Sequence, residues 1–323
     1  MLLKTALESA PRVVVVLGSS FHARNSKNPF TWQERATMIA GTLSEEDRQR
    51  VSWVAVRDYY EDRRWANAVR SAVSKLAPDA NRIALVGHFK DASSHYLNHF
   101  PQWQLISVDN ESDIDATRIR RILFEAENME VSLGVISDVV PIAIRQYLKA
   151  WTNLPCYALL VQEHEKIEEY KVSWSSAPYA PIFSTVDAVV KTAGHVLLIE
   201  RGDFPGKGLW AIPGGFVEQR ERLLQAAIRE LSEETKLAVL MPSLEDALVE
   251  VKVFDHPDRS LRGRTITHAH FFDLKTEHLP AVEGSDDAAH AVWIPIENLR
   301  TMEEMFFDDH FHILDQFLQL TED

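Results

Sequence analysis

The most informative segment of the sequence is Gly215-Phe-Val-Glu-Gln-Arg-Glu221, followed after seven residues by Arg229-Glu-Leu-Ser-Glu-Glu-Thr-Lys-Leu237. At helical spacing, Glu230, Glu233 and Glu234 fall on one face, at positions i, i+3 and i+4. Three like charges on adjacent turns repel each other and weaken a helix unless a cation joins them. Oxygen-only clusters of this kind suit Mg²⁺ or Mn²⁺, and such a cation clamps a diphosphate and lowers the pKa of a bound water.

The residues around this stretch favour a metal site over a solvated acidic helix face. Pro213-Gly214-Gly215 gives a tight backbone, where the Gly215 carbonyl can reach a metal and a phosphate can approach closely. Glu221 is placed to hold Arg229 in a bidentate pair that fixes the helix. The pattern therefore predicts a metal-binding helix from Leu223 to Leu237.

The segment resembles the Nudix box, G-x5-E-x7-R-E-U-x-E-E-x-G-U, at every position but one. Lys236 stands where that family usually has glycine, which implies a continued or differently capped helix end and leaves the carboxylates untouched. The resemblance implies a hydrolase that cuts a pyrophosphate inside a nucleotide, with Mg²⁺ as cofactor and Mn²⁺ as an alternative. It assigns Glu233 and Glu234 as catalytic residues. The implied metal ligands are Gly215, Glu230, Glu233 and Glu234.

Arginines after the box are candidates for substrate binding. Arg259, Arg262 and Arg264 lie close together, and the last two alternate so that they point to one side of an extended segment. Arginine forks bind phosphate bidentately, so we predict that these three residues and Arg201 contact the substrate. A solvated loop is the alternative interpretation.

A late acidic loop, Gly284-Ser-Asp286-Asp287, precedes the last predicted strand. Nudix enzymes often carry an acidic group near the catalytic water at this place. The resemblance therefore assigns Asp287 as a catalytic residue, with Asp286 as the alternative.

The first half alternates continuous apolar strands with helices, which predicts a parallel sheet covered on both faces. Its motifs resemble those of bacterial bifunctional proteins that fuse a nicotinamide mononucleotide (NMN) adenylyltransferase domain to a Nudix ADP-ribose pyrophosphatase. In chain order these motifs are Gly18-Ser19-Ser20, Asn28-Pro29-Phe30, Glu34-Arg35, Arg57-Asp58-Tyr59, Gly87-His88-Phe89-Lys90-Asp91 and Ala116-Thr117-Arg118-Ile119-Arg120. The nucleotide-binding residues implied in this half are Gly18, Ser19, Asn28, Arg35, Gly87, Lys90, Asp91, Thr117 and Arg120.

One part of the adenylyltransferase pattern is absent from the printed sequence. The family begins with a strand and then G-R-F-x-P-x-H-x-G-H, whose histidines stabilise the transferring phosphates. Met1–Ser9 resembles instead the end of the helix that follows. Either the sequence starts at an internal methionine, or the domain has lost its transferase role, and the intact later motifs favour the first explanation. As given, the chain is expected to have little or no adenylyltransferase activity, whereas a longer form would make NAD from ATP and NMN.

The fold class predicted is α/β and α+β, in two domains. A Rossmann-like nucleotidyltransferase domain lacking its first strand is placed at 1–155, a connector at 156–180, and a Nudix α/β/α sandwich at 181–323. The most probable substrate implied is ADP-ribose, cleaved to AMP and ribose 5-phosphate. A sensor that binds ADP-ribose without cutting it is the rival from another class, and the full carboxylate set argues against it.

Composition limits the partners of this chain. The net charge of −14 argues against a protein that coats nucleic acid, since backbone binding needs a basic surface. Cys156 is the one cysteine, and no apolar stretch approaches the roughly 20 residues that span a bilayer. We therefore expect a cytoplasmic protein with small nucleotides as partners and no membrane or nucleic-acid partner. Homo-oligomer formation is left open.

Overall fold

The computed structural model describes residues 2–87, 98–108, 116–126 and 128–321. The chain divides into two compact units, 1–161 and 162–322, which are described separately. Within the described ranges, no helix is both long enough and apolar enough to cross a membrane.

The first unit alternates strands with helices, as the sequence predicts. Its elements are α1 (Leu2–Ser9), β1 (Val13–Leu17), α2 (Trp32–Ala40), α3 (Glu45–Arg50), β2 (Val51–Ala55), α4 (Asp62–Leu76), β3 (Ala84–Gly87), β4 (Gln104–Ser107), α5 (Ala116–Glu125), α6 (Met129–Val135) and α7 (Ile142–Trp151). β1 pairs in parallel with β2, and β3 pairs in parallel with β4. Parallel strands joined through helices confirm the predicted α/β class of this half.

Apolar faces of the helices cover these strands. α4 turns Ala66, Val69 and Val73 toward Val54 and its neighbours, because residues three and four apart share one helix face. At the start of α2, the Thr31 hydroxyl accepts a hydrogen bond from the Glu34 N–H, and the Glu34 carboxylate accepts one from the Thr31 N–H. This capping box explains why the helix begins at Trp32.

The second unit is a mixed sheet between helices. Its elements are α8 (Pro155–Ser173), which begins in the first unit, β5 (Ile182–Thr192), β6 (His195–Arg201), β7 (Trp210–Ala211), β8 (Gly214–Phe216), α9 (Leu223–Thr235), α10 (Met241–Asp246), β9 (Leu248–Phe254), β10 (Arg264–Asp273), β11 (Ala288–Pro295), α11 (Ile296–Leu299) and α12 (His310–Leu318). The main strand order is β11-β6-β5-β10-β9, while β7 pairs with β6 and β8 pairs with β5. β5 and β10 are parallel, and the other neighbours are antiparallel.

Helices pack on both faces of this sheet. Ile228 and Leu231 of α9 pack against a cluster that includes Phe272 on one face. Phe271, the preceding residue of the same strand, stacks on Phe317 of α12 at 5.3 Å between ring centroids. Successive strand residues point to opposite faces, so the sheet is sandwiched as predicted.

Two local features differ from the sequence prediction or complete it. α8 makes a regular helix of much of the predicted connector, because its apolar side chains Leu160 and Ile167 find buried positions. The turn between β5 and β6 has Ala193 at φ 45° and Gly194 at φ 75°, the left-handed pair of a tight hairpin. A glycine is favoured there because it adopts this conformation without strain.

Candidate active site

Two glycines let the loop before α9 approach its neighbours closely. A Cβ on Gly214 would collide with the carbonyl oxygen of Val186, and a Cβ on Gly215 would collide with the carboxylate of Glu230. β8 pairs antiparallel with β5 here and places Gly214 opposite Asp187. The Gly215 backbone therefore lies against the first carboxylate of the box, as the predicted metal site requires.

Arg229 organises the acidic face of α9. Its Nη2 and Nε atoms bind the two carboxylate oxygens of Glu221 at 2.7 Å and 3.0 Å, and Nη2 also donates to the Phe216 carbonyl at 3.1 Å. Nη1 donates to Glu230 and to Glu233, each at 2.9 Å. The hydrogen bonds that Arg229 donates to Glu221 are the largest cause that raises the pKa of Arg229. This geometry forms the bidentate pair expected from the spacing of the box.

Glu234 is the buried member of the acidic set, with 3% of its surface exposed. Its Oε2 accepts a hydrogen bond from the Gly214 N–H at 2.8 Å. Burial raises the pKa of Glu234 to about 8, and the charges of Glu230 and Asp287 act in the same direction. The carboxylate thus lies in a dry position beside other acids, where a bound cation would stabilise its charge.

The late acidic loop is fastened to the end of α9. The Glu283 N–H donates to the Thr235 carbonyl at 2.8 Å, and the Ser285 N–H donates to the Glu234 carbonyl at 3.0 Å. The Gly202 N–H holds the Asp287 carbonyl at 2.8 Å from the other side. These backbone bonds keep Asp287 near Glu234.

Lys236 closes α9 in the left-handed conformation, with φ 44°. Its N–H donates to the Ser232 carbonyl, and its Nζ lies 2.7 Å from Glu283. Of the two helix ends that the sequence allowed, the structure has the differently capped one and not the continued helix. A lysine thus takes the backbone conformation that glycine adopts with less strain.

Two of the predicted substrate arginines share one aromatic ring. The guanidinium carbon of Arg201 lies 4.3 Å from the centroid of Phe307, and that of Arg262 lies 5.8 Å from the same ring. Arg262 also lies 5.3 Å from the ring of Phe216. Burial and the charge of Arg262 lower the pKa of Arg201.

The other two predicted arginines are held differently. Arg259 is buried and binds both carboxylate oxygens of Asp309, at 2.9 Å and 2.7 Å. Arg264 donates from Nη1 to the carbonyl of Asp255. The ion pair gives Arg259 a structural role, so direct substrate contact stays a prediction for this residue and is better supported for Arg201 and Arg262.

The carboxylates of α9 have the oxygen chemistry of a divalent-metal site. In the described ranges, no three His, Cys, Asp or Glu side chains are grouped closely enough to hold a metal. Arg229 neutralises Glu230 and Glu233 in this arrangement. A cation bound by Glu230 and Glu233 would compete with the Arg229 guanidinium for these two carboxylates. Arg229 would keep Glu221 as its partner.

In the first unit, Asp58 joins residues from two strand ends. It accepts hydrogen bonds from the Ser19 N–H at 3.2 Å and the Ser19 hydroxyl at 2.5 Å, and it lies 3.2 Å from His22 Nε2. Arg35 donates to the Ser19 carbonyl at 3.2 Å. Ser19 has φ 48°, so these bonds hold it in the left-handed region, next to Gly18. Gly18, Ser19 and Arg35 are thus brought together as the motifs suggest.

A second group in this unit joins α5 to the loop before α2. Arg120 donates to the Thr117 hydroxyl at 3.2 Å and to the Lys27 carbonyl at 3.3 Å, beside Asn28. Gly87 ends β3, and its carbonyl accepts a hydrogen bond from the Val108 N–H. Predicted residues Lys90 and Asp91 lie outside the described residues.

Sequence reasoning missed Phe307, His22 and the acidic pair that surrounds the arginines. Asp309 holds Arg259, and burial of its carboxyl raises the pKa of the half-buried Asp308, against the charges of Arg262 and Arg259. The run Phe306-Phe-Asp-Asp-His310 was the available signal, since two acids beside aromatic residues are unusual inside a core.

Comparison with known proteins agrees with these two sites. The NUDIX domain model matches residues 182–317. The chain is 32% identical over 163 residues to a nicotinamide/nicotinic acid mononucleotide adenylyltransferase of Acinetobacter baylyi, covering 50% of this chain and 83% of that protein. It is 37% identical over 114 residues to an ADP-ribose pyrophosphatase of Methanocaldococcus jannaschii, covering 35% of this chain and 62% of that protein.

A solved structure resembles nearly the whole chain. It is a bifunctional NMN adenylyltransferase/ADP ribose pyrophosphatase from Francisella tularensis, complexed with AMP and a manganese ion. The TM-score is 0.89 at 34% identity, over 98% of this chain and 93% of that one. The carboxylate helix, the Asp58 site and this likeness over both units show together that the chain belongs to the family of bifunctional NMN adenylyltransferase/Nudix ADP-ribose pyrophosphatase proteins.

Proposed function

We propose that the second unit hydrolyses the diphosphate of ADP-ribose, giving AMP and ribose 5-phosphate, and that it uses Mg²⁺ or Mn²⁺. The observation that carries the proposal is the set of Glu230, Glu233 and buried Glu234 on one face of α9, next to Gly215. The relative crystallised with AMP and manganese supports both the substrate class and the metal. Nudix hydrolases require a divalent metal, and the choice of Mg²⁺ is part of this proposal.

The metal ligands proposed are the three glutamates and the Gly215 carbonyl. When bound, the cation would neutralise charge on the diphosphate and make hydroxide available near neutral pH. The side chain of Glu233 is 48% exposed, so its carboxylate can accept a proton from an approaching water. Asp287, fixed by the late loop, is proposed to orient that water beside Glu234.

The chain's arginines are proposed to bind the substrate's phosphates. Arg201 and Arg262 lie together on Phe307, and the charges of Glu234 and Asp287 reach Arg201. A diphosphate placed between this positive pair and a metal-loaded α9 would have both of its phosphates compensated. Arg264 stays a more peripheral candidate.

The test is a hydrolysis assay on the full chain. Products of ADP-ribose, NADH, diadenosine polyphosphates and 8-oxo-dGTP are followed with Mg²⁺, with Mn²⁺ and with a chelator. We expect AMP and ribose 5-phosphate from ADP-ribose, loss of turnover with the chelator, and recovery on adding metal. Absence of ADP-ribose turnover, or turnover that survives the chelator, would refute the proposal. Binding without turnover would identify the rival sensor.

For the first unit we propose nucleotide binding at the Asp58 site, with ATP and NMN as ligands. Ser19, held in a left-handed conformation by Asp58, and Arg35 beside it support this assignment. Equilibrium dialysis with labelled ATP and NMN tests binding, and an assay for NAD formation tests transfer. We expect both nucleotides to bind, and failure of both to bind would refute the assignment. The domain limits 1–155, 156–180 and 181–323 are likewise retained as a proposal.

A further inference from the structure

Phe307 lies under two positively charged side chains beside the proposed active site. Its ring is 4% exposed, and the guanidinium carbons of Arg201 and Arg262 lie 4.3 Å and 5.8 Å from its centroid. A cation near the face of an aromatic ring is attracted by the ring's negative face. One buried ring thus contacts two arginines from different parts of the chain.

The ring is itself held in place. The Phe307 N–H donates to the Trp210 carbonyl at 2.9 Å, and the ring packs in a buried cluster with Ile199 and Ala211. Gly206 lies so close that a Cβ there would collide with the ring. Phe307 therefore presents a fixed surface to whatever rests on it.

The positive charges of Arg201 and Arg262 repel each other, and other groups of the fold compensate these charges only in part. Arg201 donates from Nε to the Pro205 carbonyl at 2.8 Å, and in the described part of the chain neither of its Nη atoms makes a hydrogen bond. Among the described residues, the Arg262 side chain donates to the Ser260 hydroxyl at 3.4 Å, and the charge of Asp308 lies close to it. A pair of like charges kept together with unused donors is suited to an anion that bridges them.

We propose that Phe307 is a positioning residue that holds Arg201 and Arg262 together so that they bind the substrate's diphosphate as a pair. The inference rests on the proposed hydrolase function and adds to it a residue that never touches the substrate. Because the arginines bind the diphosphate before and during cleavage, the ring affects substrate affinity more than the rate of the chemical step.

The experiment compares Phe307→Leu with Phe306→Leu. Phe306 is the adjacent residue, 2% exposed, and its ring packs against Phe311 at 5.8 Å, so the control removes a similar ring from the core. For Phe307→Leu we expect the KM for ADP-ribose to rise about tenfold with kcat within a factor of about two. For Phe306→Leu we expect a lower melting temperature and an unchanged KM.

An unchanged KM in Phe307→Leu, an equal rise in both variants, or a loss confined to kcat would each overturn the proposal. If Phe307→Leu does not fold, Phe307→Met replaces it. The same change is also made in an Arg201→Met background, where the proposal expects its effect on KM to shrink. An effect of full size there would show that the ring acts independently of Arg201, against the proposal.

Failure of the proposed function is distinguishable from failure of this inference. The wild-type protein is assayed first, and absence of ADP-ribose turnover there refutes the function alone. Binding of inorganic pyrophosphate to the wild type and both variants, measured by calorimetry, then judges the role of Phe307. Weaker binding in Phe307→Leu alone supports the role, and equal binding in all three proteins rejects it.

Discussion

Asp58 in the first unit and Glu234 in the second both accept a backbone hydrogen bond, from Ser19 at 3.2 Å and from Gly214 at 2.8 Å. The pKa values of these two carboxyl groups are nevertheless shifted in opposite directions. Burial pushes the pKa of Asp58 upward, but hydrogen bonds from His22 and Ser19 outweigh it and bring the pKa to about 2. Burial raises the pKa of Glu234 to about 8, with neighbouring acids adding to the effect.

The two carboxylates differ in the source of the positive charge that compensates them. Asp58 has donors and a histidine within the fold, so its negative charge is answered by the chain itself. Glu234 has one N–H donor and acidic neighbours, and the charge of Arg201 lowers its pKa without outweighing burial and those acids. A carboxylate of the first kind organises a loop, and at one of the second kind we propose that a cation binds.

The strongest test of this contrast is Glu234→Gln. The amide oxygen can still accept the Gly214 hydrogen bond, but the anionic ligand is gone. We expect kcat for ADP-ribose to fall about a thousandfold, equivalent to about 4 kcal/mol in the barrier, with an unchanged circular dichroism spectrum. Glu245→Gln, on the exposed surface of α10, is the matched control and should keep full turnover. A decrease smaller than about tenfold in Glu234→Gln would contradict the assignment.

Asp309→Asn extends the contrast to a carboxylate whose positively charged partner is a residue of the fold, Arg259. Its partner Arg259 is left buried without a full counter-charge, although Asp308 remains nearby. We expect the free energy of unfolding in urea to fall by about 3 kcal/mol, the lower end for a broken buried pair, while KM is retained. Glu130→Gln breaks the exposed pair with Lys149 and should change stability by less than about 1 kcal/mol. A raised KM with intact stability would instead indicate that Arg259 contacts the substrate.

The smallest effect is expected from Asp58→Asn. The folded-state pKa of about 2 lies below the ordinary value of 3.8, so the charged form stabilises the fold above pH 3.8, and this contribution is lost as pH falls toward 2. The side chain is 45% exposed, so solvent screening reduces the contribution to about 1 kcal/mol or less. Unfolding free energies of the variant and the wild type should converge across that pH window. A constant difference would contradict the linkage, and ADP-ribose hydrolysis should not change.

Local spacing was enough to predict the carboxylate helix and its Arg229–Glu221 pair. The whole pattern lies within 23 residues, and helical periodicity places the three glutamates on one face whatever the rest of the chain does. The strands of both units and the hairpin turn at Gly194 also follow from local patterns. Apolar runs favour the strands, and turn residues favour the hairpin.

The sequence did not predict which arginine forms a buried ion pair and which lies on an aromatic ring. Arg259 and Arg262 are only three residues apart, yet the first enters a buried ion pair with Asp309, 50 residues away, and the second rests on Phe307. Asp58 likewise meets His22 across 36 residues. No periodicity links such partners.

The sequence alone was sufficient to place three glutamates and a clamping arginine on one helix face, because the period of the helix sets their positions. Which arginines lie together beside the acidic helix depends on the tertiary structure, because it depends on which side chains are buried together. Arg201 ends β6, Arg262 precedes β10 and Phe307 precedes α12, and the packing of the sheet brings these three segments into contact. That contact arises from burial of apolar surface across the whole unit, which no short segment encodes.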